Sequence, residues 1–359
     1  MPKPVPTGGY RGRGALSNPG NRFAHRATES VDDGWHQEAE PEQIATELII
    51  DASRSIIARN DSPDIPFDQS INPYRGCEHG CIFCFARPTH AYLGLSPGID
   101  FETKLLYKPD AAALLREELR RPGYRCRFIM LGSNTDAYQP VERKLGITRS
   151  ILEVLEETGH PVSITTRSTL VLRDVDLLAR MAARRMASVQ VSITTFDPEL
   201  KRGLEPRSAS SLARLHVIRE LSAAGIPVTV MAAPMIPAVN DSELETILER
   251  AAEAGATGAQ YTLLRLPLEV KDLFREWLAQ YLPDRAAHVM SLIQNARGGK
   301  DNDPRFGARM KGQGAWAQLL SDRFRLAARR LGLDASREPR FDGSQFQPPR
   351  NTPQMELGL

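Results

Sequence analysis

From about residue 110 to residue 265 the chain alternates short β-branched runs with amphipathic stretches, and this alternation restricts the fold more than any other feature. YRCRFIML (124–131), VSITT (162–166), VQVSITT (189–195), PVTVMAA (227–233) and AQYTLLR (259–265) have the composition of strands. Helices are predicted between them. The first covers about 110–121, with Asp110 as N-cap and Leu114, Leu115 and Leu119 on one face. The second covers about 149–158 and stops at Gly159; the third runs from Asp174. A fourth carries Leu212, Leu215 and Ile218 and stops at Gly225, and a fifth covers about 242–254. With a first strand at INPYRG (71–76), this makes six β units joined by helices, the pattern of a parallel sheet. Six units fall short of a closed eight-stranded barrel, so the expected α/β architecture is a partial (β/α)6 TIM-like barrel. In such folds functional groups collect at the C-terminal ends of the strands.

The flanks have a different character. Residues 1–45 are rich in Gly, Pro, Asn and Arg and read as a flexible arm, closed by the acidic stretch ESVDDGWHQEAEPEQ. TELIIDAS (46–53) suggests an entry strand, and the barrel is expected over 46–267. Helices near 269–280, 284–296 and 316–331 form a helical extension over 268–333, with RFGARMKGQGAW (305–316) as a Gly-broken basic loop; 334–359 reads as a mobile tail. No apolar run approaches the roughly 20 residues of a membrane span, and the N-terminus has no apolar signal core, so a cytoplasmic, reducing location with no membrane partner is expected. The net charge of +2 argues for no partner by itself. Its distribution is uneven: nine Lys or Arg face three Asp between Arg297 and Arg330, and the first 30 residues hold five against one. Such stretches suit either a phosphate backbone or a solvated surface.

Three of the four cysteines lie in one loop, INPYRGCEHGCIFCFAR, at the spacing C-x3-C-x2-C. Cys77, Cys81 and Cys84 offer three local thiolates where a tetrahedral zinc site or an ordinary iron–sulfur cubane takes four ligands. A [4Fe–4S] cluster on these three would keep one iron open. A zinc site completed by His79, His90 or Cys126 is the alternative; a disulfide lacks the secretory context.

The loop resembles the signature of the radical S-adenosylmethionine (SAM) enzymes, and Phe83 matches the aromatic those enzymes carry before the third cysteine. The resemblance implies a [4Fe–4S] cluster on Cys77, Cys81 and Cys84, with SAM on the open iron. It also implies reductive cleavage of SAM to a 5′-deoxyadenosyl radical, and an electron donor such as flavodoxin or ferredoxin. SAM needs donors and acceptors at the strand ends. Thr135 and Asp136 in LGSNTDAYQP, Arg167 after the third strand, Ser192 and Thr194 sharing a face with Gln190, and Arg207 beside Glu205 are the candidates; Met231 and Tyr261 could supply an apolar slot for adenine. Within the superfamily, residues 74–267 look most like the branch containing spore photoproduct lyase, on the cysteine loop, the turn Ser133–Asp136, Arg167 and Ser192. That likeness implies nucleic acid as substrate, with a peptide or small molecule as the rival. The lyase has a hydrogen-donating cysteine where this chain has Ser133, and a serine O–H bond is too strong for that role. Cys126 reads as a buried structural thiol.

Overall fold

The computed structural model describes residues 10–23, 44–333 and 341–349. The strands in chain order are β1 (Glu47–Ile50), β2 (Ile57–Arg59), β3 (Gln69–Ile71), β4 (Tyr74–Arg75), β5 (Lys104–Tyr107), β6 (Ile129–Leu131), β7 (Val162–Thr166), β8 (Ala187–Ile193), β9 (Val228–Met235) and β10 (Gly258–Leu263). Six of them, β3 and β6 to β10, lie side by side in chain order and are parallel; β2 adds antiparallel outside β3. Helices Ala111–Arg120, Ile147–Glu157, Val175–Ala183, Ser211–Ala223 and Leu244–Glu253 make the crossovers. This is the partial (β/α)6 arrangement that the alternation predicts. The remaining strands, β1, β5 and β4, form a small separate sheet beside the cysteine loop.

Strand alternation divides the sheet chemically. Val162, Ile164, Val189, Val191, Ile193, Val228, Val230 and Ala232 join one apolar core with the crossover helices. The alternate residues, Ser163 and Thr165, Ser188, Gln190 and Ser192, and Thr229 and Met231, face the concave side. They bond to one another there: Ser163 Oγ lies 2.9 Å from Ser188 Oγ, and Thr165 Oγ1 donates to Gln190 Oε1 at 3.2 Å. A polar concave face is what a ligand-holding barrel requires.

The structure corrects several expected boundaries. The first parallel strand is Gln69–Ile71 rather than INPYRG, because Pro73 has no N–H to give a ladder and the chain then turns Tyr74–Arg75 onto β5. Only Ile129–Leu131 of the predicted 124–131 strand is paired, since β3 offers just three residues to pair with. Strand β8 ends at Ile193, where Asn240 Nδ2 takes the Thr194 carbonyl at 2.8 Å. Asp110 precedes its helix without a side-chain capping bond. Leu212 is 67% exposed, as the buried face of its helix runs through Arg214, Val217, Ile218 and Leu221 instead.

The helical extension is not a separate body. Val270–Tyr281 and Ala286–Asn295 place Leu273, Phe274, Trp277, Val289 and Ile293 in one core with Cys81, Ile82 and Phe83. The basic loop lies along the edge strand β10, and Asp64, from the turn before β3, receives Gly307 N and pairs with Arg309. The two ends of the open sheet are thereby bridged by side chains. Of the tail, residues 341–349 cross the N-terminal ends of the strands, with Phe341 stacked on Phe128 and Phe346 against Tyr124 and His160.

Candidate radical SAM site

The cysteine loop leaves the C-terminal end of β3 and is held from several directions. Cys77 N donates to Phe101 O (2.9 Å), and Ile82 N donates to Leu204 O (2.9 Å). Behind the loop Arg87 is fully buried. Its Nε donates to Cys81 O (2.9 Å), Nη1 to Pro97 O and Gly98 O, and Nη2 to Gly80 O (3.2 Å) and Glu102 Oε1 (2.5 Å). Glu102, equally buried, also accepts Gly14 N (2.9 Å) and Ala15 N (2.8 Å), while Arg13 Nη1 donates to Glu102 O. Residues 13–17 of the N-terminal arm, expected to be flexible, are thus buried under the loop. Gly14 is dictated by this contact, since a Cβ there would stand 1.7 Å from Gly80 O.

Cys77 and Cys81 are buried and Cys84 partly so, and burial pushes each thiol above the usual cysteine range, Cys81 to about 12. Of the alternative ligands, His79 and His90 each keep a buried Nδ1 without a hydrogen-bond partner, while Cys126 is remote. His90 Nε2 lies 3.0 Å from Lys104 O with its ring edge-on to Phe101. His79 Nδ1 sits 3.3 Å from Asp136 Oδ2, not aligned as a hydrogen bond. Cys126 is at the other end of the strands, where its sulfur meets Gly343. Among the described residues no three His, Cys, Asp or Glu side chains converge on one metal ion, whereas a cubane takes each thiolate on a different iron.

Arg167, at the end of β7, reaches across to this loop. Its guanidinium lies 5.5 Å over the Phe83 ring, Nε is 3.1 Å from Glu205 Oε2, and Nη2 donates to Ala233 O at 2.9 Å. Burial works against its charge, but Cys81, Glu205 and Asp136 outweigh that and raise its pKa. Asp136 is the hub beside it, accepting Thr166 Oγ1 (2.8 Å), Arg167 N (2.7 Å) and Tyr138 N (2.8 Å). Burial works against this carboxylate too, yet His79 and these N–H groups hold it below the usual range.

Residues 71–251 match the sequence profile of the Radical SAM superfamily. The chain belongs to the radical SAM superfamily. An uncharacterised protein of Mycobacterium tuberculosis is 42% identical over 232 residues, which cover 64% of this chain and 68% of that one. One from Methanocaldococcus jannaschii is 30% identical over 175 residues, 48% of this chain and 62% of that one. Among solved structures, spore photoproduct lyase with bound AdoMet and dinucleoside spore photoproduct superposes with a TM-score of 0.57 at 15% identity, covering 80% of this chain and 81% of that one. The lyase bound to the dinucleoside spore photoproduct gives 0.56 at 16% identity. At such identities the likeness is one of fold.

For this radical SAM protein, the structure brings Phe83, Asp136, Arg167 and the three cysteines into one neighbourhood. Ser192 is on the concave face, and Thr194, just past β8, donates to Ala233 O at 3.3 Å. Thr135 is buried and donates to Tyr74 O at 2.7 Å, so its hydroxyl secures the rim turn. Arg207 and Glu205 are not each other's partners: Arg207 pairs with Glu78 (3.2 Å), and Glu205 with Arg214 (2.6 Å) as well as Arg167. Tyr261 packs on Phe324 at 4.7 Å. The sequence reading passed over Arg87 and Glu102; a charged pair 15 residues apart with no shared periodicity gives no signal until the loop closes. A cavity of about 620 Å³ lies away from the cysteines, at the N-terminal strand ends around Cys126, Phe128 and Phe341.

Proposed function

We propose that the protein is a radical SAM enzyme in which Cys77, Cys81 and Cys84 hold a [4Fe–4S] cluster, and that its substrate is nucleic acid. The observation that carries the first part is the gathering of three thiols in one loop, Cys77 and Cys81 buried and Cys84 partly so, while Cys126 lies at the opposite end of the strands. The donor set therefore fits a group that takes three thiolates and keeps a ligand position for SAM, and it argues against a zinc-stabilised binding module. When bound, such a cluster supplies one electron to the SAM sulfonium, so that the C5′–S bond breaks to methionine and a 5′-deoxyadenosyl radical. The chain's own residues prepare this. Arg167 sets a fixed positive charge beside Cys81 and Cys84 for a negatively charged cluster and the SAM carboxylate. Asp136 fixes the Arg167 backbone, and the polar side chains of β7 and β8 offer hydrogen bonds to the ribose.

The nucleic-acid reading draws on the fold shared with a lyase that binds a dinucleoside photoproduct and on the basic stretch between Arg297 and Arg330. Ser133, held by Asn72 Nδ2 at 3.3 Å, has too strong an O–H bond to return hydrogen to a carbon radical. The product radical is then quenched by another donor. A flavodoxin or ferredoxin is the proposed reductant. The test is anaerobic reconstitution followed by SAM and dithionite: about four irons and four sulfides per chain, with 5′-deoxyadenosine formed, support the reading, and one zinc with no 5′-deoxyadenosine ends it.

A further inference from the structure

Arg265 follows the last barrel strand, and no ion pair within the described residues takes its guanidinium. Among the described residues its guanidinium makes one long contact, 3.6 Å to the Met310 sulfur, and otherwise lies over the Phe85 ring with its carbon 5.1 Å from the centroid. Phe85 directly follows Cys84 and is 42% exposed, so this pair joins the last strand to the cysteine loop at the rim. Two more arginines back it. Arg297 is buried and donates to Leu264 O (2.6 Å), Ala308 O (2.8 Å) and Arg309 O (2.9 Å), fixing the 308–311 turn against the strand end. Arg309 lies 4.7 Å over Phe306, which is 60% exposed.

The acids nearby offset the Arg265 charge only in part, through Asp64. Asp64 is taken by Arg309 and Gly307 N, and Asp303 by Arg305. Burial and the neighbouring Arg309 disfavour the Arg265 charge more than Asp64 favours it, which leaves room for a counter-ion from outside. A guanidinium has five N–H donors in a planar fork suited to phosphate oxygens, and an exposed ring beside it offers a face for a base. We propose that Arg265 and Phe85 form a subsite for one nucleotide of a single strand, Arg265 taking the phosphate and Phe85 stacking the base. This rests on the nucleic-acid reading above. It places the strand against the cysteine loop, on the side of β10 rather than of Arg167.

The test uses the full chain, anaerobically reconstituted, and a short fluorescein-labelled single-stranded DNA followed by anisotropy at two salt concentrations. Arg265→Gln should weaken binding about ten-fold and lower the salt slope by roughly one unit or slightly less, as expected for one lost phosphate contact. Phe85→Leu should weaken binding several-fold with an unchanged slope, because stacking releases no counter-ion. Arg180→Gln removes the same charge from a distant exposed helix and should bind as wild type. Should Arg265→Gln hold no iron, Arg265→Lys decides: the charge survives and the fork does not, so the slope stays while affinity falls. Wild-type affinity and slope in both Arg265 variants overturn the subsite and leave the nucleic-acid reading standing. Failure of the wild type to bind at low salt overturns both, and the iron and 5′-deoxyadenosine measurements still judge the SAM chemistry separately.

Discussion

At the C-terminal ends of the strands the chain buries charge, whereas at the N-terminal ends it buries rings. The first region holds Arg87 with Glu102, and Glu205 with Arg214 and Arg167. The second holds Tyr124, His160 and Phe346 in mutual contact, with Phe128 stacked on Phe341. Ring contacts hold a surface closed at little desolvation cost, while buried ion pairs are expensive and stabilise little over apolar packing. Their concentration around the cysteine loop is explained by what they position. Arg87 and Glu102 tie four loop and turn carbonyls and the N-terminal arm into one rigid backing, and Arg167 sets a charge beside the thiols.

The sharpest way to break this comparison is to remove one thiol from each end. Cys81→Ala should abolish iron binding after reconstitution, and Cys126→Ala should leave iron per chain at the wild-type value. Equal loss in both would mean that the fourth cysteine also serves the cluster, contrary to its place beside Gly343. The next largest effect is expected from Glu102→Gln. It leaves the Arg87 guanidinium buried without its counter-charge, a loss of about 3–5 kcal/mol. Denaturant unfolding measures it, and iron retention should fall as the loop loosens.

These two regions were not equally legible in the sequence. The three-cysteine loop and the strand–helix alternation are local patterns, so spacing and period sufficed to read them. Asp136 and Arg167 are placed at strand ends for the same reason, each following a strand whose end is visible in the sequence. Gly14 and Glu102 were not found, because their bond spans 88 residues and the arm's glycines look like linker until Gly80 is brought against them. Phe341 and Phe346 were hidden likewise in a Pro- and Gln-rich tail; single aromatics carry no periodicity. Arg265 was read only as the end of a strand, since its lack of an acidic partner is a property of the folded surroundings.

The ring-built end has its own signature, a dependence on pH. Burial holds His160 neutral, with its pKa pushed down to about 4 from 6.5. The unfolded chain takes up a proton at this residue as pH falls through 6.5, and the folded chain does not until about 4. The stabilisation is fully present above 6.5 and is lost between 6.5 and 4, amounting to about 2 kcal/mol between pH 7 and pH 5. His160→Asn should flatten that part of the stability profile, measured by urea unfolding at the two pH values. An unchanged slope in the variant would show that another group carries the dependence.

The smallest effect is expected where the tail meets this histidine. Phe346 lies edge-on to His160 with centroids 5.4 Å apart and 5.5 Å from Tyr124, and the following residue, Gln347, donates its N–H to Thr158 O at 2.8 Å. Because Phe346 is only partly buried, Phe346→Ala should cost about 1–2 kcal/mol, less than truncating a fully enclosed ring. Opening that side admits water to the imidazole and relieves part of the burial that depresses it. Its pKa should therefore move up toward 6.5, which an NMR titration of His160 detects, and the stability lost between pH 7 and pH 5 should shrink with it. Iron per chain should be unchanged, since Phe346 is at the opposite end of the strands from Cys81. If iron fell in step with the stability loss, the two ends would be coupled through the sheet rather than independently built.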